Sequence, residues 1–166
     1  MVSVKTLSLE LSDCEESSIE RLRHLLPKVI AIDVALRDEW YTEKGLRHIC
    51  QNFRGLQRLK ISDRDSWLIR RINSLRVLQH LEHLEELTFM FIRTRIIDIP
   101  PNVHLKRFVM HYPEQLSNDD LLELARQYPN LRYLQLGPNR QVTSEGIEAF
   151  RKLNDSLQLT RQVDFA

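Results

Sequence analysis

Leu131-Arg132-Tyr133-Leu134-Gln135-Leu136 sets large apolar residues at the first, fourth and sixth places of a six-residue frame, and that frame decides how the chain is read. With any large apolar residue standing for Leu, the frame recurs as Val4-Lys5-Thr6-Leu7-Ser8-Leu9, Val29-Ile30-Ala31-Ile32-Asp33-Val34 and Leu56-Gln57-Arg58-Leu59-Lys60-Ile61. Leu84-Glu85-Glu86-Leu87-Thr88-Phe89 and Leu105-Lys106-Arg107-Phe108-Val109-Met110 complete the set, and successive starts lie 25, 27, 28, 21 and 26 residues apart. A period in the twenties means one short strand and one helix or turn per unit, with neighbouring units stacked to bury a common core.

The connections repeat as well. Ile19 precedes Val29, Leu46 precedes Leu56 and Leu121 precedes Leu131, each by ten residues, so one helix length serves three units. Those helices open on Tyr41-Thr42-Glu43-Lys44-Gly45-Leu46, Leu116-Ser117-Asn118-Asp119-Asp120-Leu121 and Val142-Thr143-Ser144-Glu145-Gly146-Ile147. Thr42, Ser117 and Thr143 suit N-caps, because a side-chain oxygen there satisfies a free N–H of the first turn; acidic residues follow at the positive end of the helix dipole.

On these residues the chain resembles the leucine-rich-repeat superfamily over essentially its whole length. Its helix-opening segments look like the Ile-Thr-Asp-x-Gly-Leu stretch of the cysteine-containing repeats typical of F-box proteins. Ala125-Arg126-Gln127-Tyr128-Pro129-Asn130-Leu131 looks like that family's helix end, with Tyr128 where the family has Cys before Pro. The resemblance implies an α/β fold, a right-handed solenoid or horseshoe with a parallel concave sheet and a mostly helical convex side. It also implies one domain over residues 1–166, six to seven repeats, as a fragment of a longer protein.

The frame places strands near 4–9, 29–34, 56–61, 84–89, 105–110 and 131–136, and helices near 17–26, 43–53, 66–80, 118–128 and 144–154. Ile96-Ile97-Asp98-Ile99-Pro100-Pro101-Asn102 closes the 21-residue unit, and a Pro-Pro pair cannot sit inside a helix, so this connection should be extended or turn-like. One closing strand is expected within 157–165, either at Leu157-Gln158-Leu159 or at Val163-Asp164-Phe165.

The 166 residues carry 24 basic and 23 acidic side chains, a balance with no overall pull toward nucleic acid or a membrane surface, and 42% apolar content is enough for a continuous core. No stretch reaches the ~18 uncharged apolar residues that span a bilayer, and the N-terminus does not resemble a signal peptide. Extracellular members of the superfamily usually carry disulfide-bonded caps, whereas Cys14 and Cys50 stand in unrelated contexts. A reducing compartment, cytoplasm or nucleus, is expected.

Catalytic chemistry is scarce. His80-Leu81-Glu82-His83 has no third ligand nearby and reads as core packing through Leu81 and Leu84. Cys50, between Ile49 and Phe53, reads as a small buried apolar residue rather than a nucleophile. Asp63-Arg64-Asp65 reads as a solvated turn, and four glycines supply no phosphate-cradling loop. No enzyme activity, cofactor or metal site is expected.

What remains is the open face of the sheet. Once the frame residues are buried, their neighbours point to the other side and form two columns: Thr6, Ala31, Arg58, Glu86, Arg107, Tyr133 and Ser8, Asp33, Lys60, Thr88, Val109, Gln135. Phe91 and Tyr112, with Met90 and His111, are expected just past the strand ends. Aromatics and arginine dominate interface energetics. Arg58, Lys60, Glu86, Phe91, Arg107, His111, Tyr112, Arg132 and Tyr133 are therefore the expected partner-binding residues. The expected function is recognition of a protein partner on the concave face. By resemblance this is the substrate-receptor part of an F-box-type ubiquitin ligase, with an upstream domain or partner over the N-terminal edge. An RNA-binding or nuclear RNA export adaptor, using Arg93, Arg95, Lys106, Arg107, Arg132 and Arg161, is the alternative; a structural, self-associating repeat is another.

Overall fold

A computed structural model describes residues 4–11, 16–36, 42–63, 70–71, 75–95, 98–113, 116–137, 141–154 and 158–161. Among these described residues eight strands form one sheet: β1 (Thr6–Leu11), β2 (Ala31–Leu36), β3 (Arg58–Asp63), β4 (Arg70–Arg71), β5 (Glu86–Thr94), β6 (Arg107–Pro113), β7 (Tyr133–Leu136) and β8 (Gln158–Arg161). Every pairing is parallel, and the order β1-β2-β3-β5-β6-β7-β8 follows the chain, with β4 added beside β5. Helices α1 (Glu16–Leu25), α2 (Thr42–Asn52), α3 (Asn118–Gln127) and α4 (Ser144–Leu153) alternate with the strands. The chain is an α/β protein built on a parallel sheet.

The frame sets the register. Leu7, Ile32, Leu59, Leu87, Phe108, Leu134 and Leu159 stand opposite one another across the whole sheet. Of these, Ile32, Leu59, Leu87, Phe108 and Leu134 are buried, as an inward column requires. Each of the six framed strands begins at the third residue of its frame, just after a residue whose carbonyl or N–H bonds to the neighbouring unit. The Lys5 carbonyl accepts from the N–H groups of both Ile30 and Ala31; Ile30 does the same for Gln57 and Arg58, Gln57 for Glu85 and Glu86, Glu85 for Lys106 and Arg107, and Lys106 for Arg132 and Tyr133. The periodicity in side chains is thus a periodicity in backbone hydrogen bonding.

Two helix starts are capped as their residues suggested. The Ser117 hydroxyl accepts from the Asp120 N–H, and the Asp120 carboxylate accepts from the Ser117 N–H at 2.8 Å, a reciprocal capping box. Thr143 caps α4 by accepting from the Gly146 N–H at 3.3 Å. Asn118 then ties the two helix starts together, donating to the Thr143 hydroxyl and accepting from the Thr143 N–H, both at 3.0 Å. Thr42 lies at the first residue of α2 rather than before it.

The α-helix expected over 66–80 is absent from the described part of that range, residues 70–71 and 75–80; residues 66–69 and 72–74 lie outside the described residues. Within its described part, Arg70 and Arg71 pair with β5, and a 3₁₀ helix spans Arg76–His80. Leu75, Leu78 and Leu81 are all buried, and a spacing of three suits the 3₁₀ repeat, which superposes side chains at i and i+3. Between β5 and β6 no α-helix occurs among the described residues, as the Pro-Pro pair requires. The ring of Tyr128, fully buried, packs on Phe108, and its hydroxyl lies 3.3 Å from the Ile99 carbonyl and 3.2 Å from that of Pro100 in that connection. Burial holds its phenol well above the usual value, so it stays a neutral donor. β8 continues the register from Leu134 to Leu159, which selects the earlier of the two expected closing positions; residues 162–166 lie outside the described residues.

At the other end β1 pairs with β2 alone among the described strands, and Val4, Leu7 and Leu9 remain only partly buried. A strand with one neighbour opens at lower free energy than a central one. Amides of Thr6–Leu11 should therefore exchange with deuterium faster than those of Leu87–Phe89, by a factor of ten or more, in a dilution series followed by mass spectrometry. Equal protection at every concentration would show that this edge is covered.

Candidate interaction surface

The two outward columns lie in register as expected, on the face of the sheet opposite Leu59, Leu87 and Leu134. Arg58 is exposed, and Glu86, Arg107 and Tyr133 are half-buried neighbours along one line. The Arg107 guanidinium sits over the Tyr133 ring, 3.7 Å from its centre, while the Tyr133 hydroxyl donates to Gln135 Oε1 at 2.9 Å. A cation–π contact of this exposure contributes about 0.5–1 kcal/mol. Its larger effect is to hold both side chains in one arrangement, which lowers the entropy a partner must remove on binding.

The other charged residues are differently disposed. Lys60 donates to Asp33 at 2.8 Å and Lys106 to Glu85 at 2.8 Å; both pairs are well exposed and contribute at most about 1 kcal/mol. Arg132 is exposed, and His111 is half-buried beside the end of β6. Ala31 and Val109 are buried although their columns face outward. Each has one longer side chain opposite it in register, Arg58 beside Ala31 and Gln135 beside Val109.

Phe91 and Tyr112 depart most from expectation. They lie within β5 and β6 rather than past the strand ends, because β5 runs on to Thr94 through an irregularity. Phe89 is opposite Met110 but Arg93 is opposite Tyr112, so β5 accommodates two more residues than its partner between those points. Phe91 sits in the bulge with φ 57°, a left-handed backbone that costs a bulky residue on the order of 1–3 kcal/mol. Phe91 as a residue is 38% exposed, and its ring lies 5.9 Å from that of Tyr112, a residue 37% exposed, at 33° between planes. Sequence reasoning found both rings from their types. The left-handed backbone had no signal, since neither Gly nor Asn marks the place.

Cys50 is fully buried, and burial pushes its thiol up to about 12, which keeps it protonated and inert. His48 is also buried in the packed side of α2. His83 and His104 adjoin each other at 6.3 Å, but no group of three His, Cys, Asp or Glu able to hold a metal occurs among the described residues. A shallow depression lies over Ser8, Glu10, Asp33, Ala35, Lys60 and Ser62, where the small pair Ala35 and Ser62 stands opposite one another in register. No described helix is long and apolar enough to cross a membrane.

No protein-family model and no curated protein matches this chain. The class that fold and surface define is therefore a parallel-sheet α/β protein with an open sheet face carrying arginine and aromatic side chains.

Proposed function

We propose that this chain is a leucine-rich-repeat solenoid serving as a non-catalytic protein-recognition module, in the manner of the substrate-receptor part of an F-box-type ubiquitin ligase. The recurring double acceptor, from Lys5 to Lys106, supports the repeat reading, because each unit docks on the one before it by the same two hydrogen bonds. The observation that carries the recognition reading is the Arg107–Tyr133 stack on the open face. Arginine and tyrosine held in one conformation are the residue types that anchor protein interfaces.

Arg107→Ala and Tyr133→Ala should leave the melting temperature within a few degrees of wild type. Each should weaken the physiological partner by about 1–4 kcal/mol. Quantitative proximity labelling in cells, with wild type and the double variant compared, checks it: a set of proteins whose labelling collapses in the variant supports the reading, and an unchanged set removes this face. A second reading, an RNA-binding adaptor, draws on the exposure of Arg58, Arg95 and Arg132. It is the weaker one, since Lys60 and Lys106 are each already bonded to a carboxylate. Binding to RNA would fall steeply with added salt.

A further inference from the structure

We propose that Arg107 receives a carboxylate, and that the open face around it takes an extended acidic segment of a partner protein whose glutamate or aspartate side chains fall three residues apart. The inference rests on the protein-recognition reading and deepens it by naming the chemistry of what is recognised.

The guanidinium of Arg107 is the first ground. It is held over the Tyr133 ring at 3.7 Å, yet it makes no hydrogen bond and no ion pair with any described residue. The ring offers its N–H donors no oxygen, so they remain for a ligand. A planar fork already fixed in place suits the two oxygens of a carboxylate, which it can meet with two parallel hydrogen bonds. Arg107 is half-buried, and water screens that attraction less than it would on a fully open surface.

Charge is the second ground. The frames that carry β3, β5, β6 and β7 hold five cations and two carboxylates. Lys60 is bonded to Asp33 and Lys106 to Glu85, which leaves Arg58, Arg107 and Arg132 against Glu86 alone. None of these four forms an ion pair among the described residues, although Glu86 stands in register between Arg58 and Arg107. Arg132 is exposed at the entry to β7, next to Tyr133 in sequence. The uncommitted charge here is positive, and larger than the +1 of the entire chain.

Register sets the spacing of the ligand. Arg58 and Arg107 are two strands apart with β5 between them, about 9.6 Å at ~4.8 Å per strand. An extended chain of the polyproline type repeats every three residues over about 9.3 Å. Acidic side chains at i and i+3 thus meet both arginines, and the two residues between pass over Glu86, which would repel an acid placed there.

RNA fits this face less well. Arg107 covers one face of the Tyr133 ring and Gln135 takes its hydroxyl, which leaves at most one face on which a base could stack. A phosphate backbone also draws on a track of free cations, whereas Lys60 and Lys106 are already neutralised.

The test pans a random twelve-residue peptide display library on the full chain, then measures the enriched peptides by fluorescence anisotropy, with a twenty-nucleotide oligouridine RNA as competitor. Enriched peptides should carry Asp or Glu at i and i+3. Arg107→Lys, which keeps the charge and removes the fork, should weaken them about tenfold or more, whereas Glu86→Gln should tighten them about threefold. Both variants should melt within a few degrees of wild type, and shifts of opposite sign cannot both come from lost folding. Failure to enrich any peptide, enrichment of neutral or basic ones, or acids at no fixed spacing would overturn the proposal. So would binding untouched by Arg107→Lys, or equal or weaker binding with Glu86→Gln. Neutral peptides that respond to Tyr133→Ala would overturn it while leaving the protein-recognition reading in place. Tighter binding of oligouridine than of any peptide would remove both.

Discussion

Phe108→Ala should cost this protein about 3–5 kcal/mol, enough to unfold much of it at physiological temperature. Phe108 is fully buried at the middle frame position of β6, in register between Leu87 and Leu134. Its ring meets Phe89 edge-on at 6.1 Å and 82°, and lies 6.1 Å from Tyr128. Neither neighbour can collapse into the space the ring would leave, since Phe89 belongs to β5 and Tyr128 is pinned by its hydroxyl. Urea unfolding of the variant checks the magnitude. Because the strands contact one another in chain order, amide protection should fall first in β5 and β7; a loss under about 1 kcal/mol would show that this column is not the core.

Gly137→Ala should be comparably damaging, at about 3 kcal/mol or more, through a different cause. The Gly137 N–H donates to the Met110 carbonyl at 2.8 Å, which draws the end of β7 onto β6. A methyl group at 137 would run into the backbone carbonyl of His111, and that obstacle is main chain, which cannot rotate away. Gly55→Ala is the matching control. Nothing stands within 4 Å of a methyl group there, so stability should stay within about 0.5 kcal/mol of wild type. The difference between the two glycines, measured in one unfolding series, isolates the close approach of strands from any general effect of adding a methyl group. Equal melting temperatures would mean that β6 and β7 do not approach as described.

The frame made most of this architecture legible. Spacing alone placed Leu59, Leu87, Phe108 and Leu134 in one buried column, and the same spacing put Arg107 beside Tyr133 on the open side. Ser117 and Thr143 were recognisable as caps because their neighbours supplied the matching N–H groups and acids. The departure from helix at Arg70–Arg71 has a physical origin: these two residues pair with the extension of β5, a tertiary partner that no local pattern announces. The bulge at Phe91 was hidden for a related reason: its conformation is imposed by the pairing on either side and opposes the preference of the residue itself. Thus the recurring part of the surface could be read from the sequence, and the irregular part, where β4 and the bulge meet, could not.

The reach of Tyr128 bears on how a chain of this kind can change over generations. Where units are alike, duplicating or losing one leaves each survivor with a neighbour of the familiar shape. The unit ending at Tyr128 departs from that interchangeability, since its hydroxyl is fitted to the backbone carbonyls of Ile99 and Pro100 in a connection that has no α-helix among its described residues. A recombination that parted the two would bury a phenol beneath a helix, with its oxygen facing no free carbonyl. Tyr128 and the path of the backbone at residues 99–100 are therefore a matched pair, whichever side chain stands at 99.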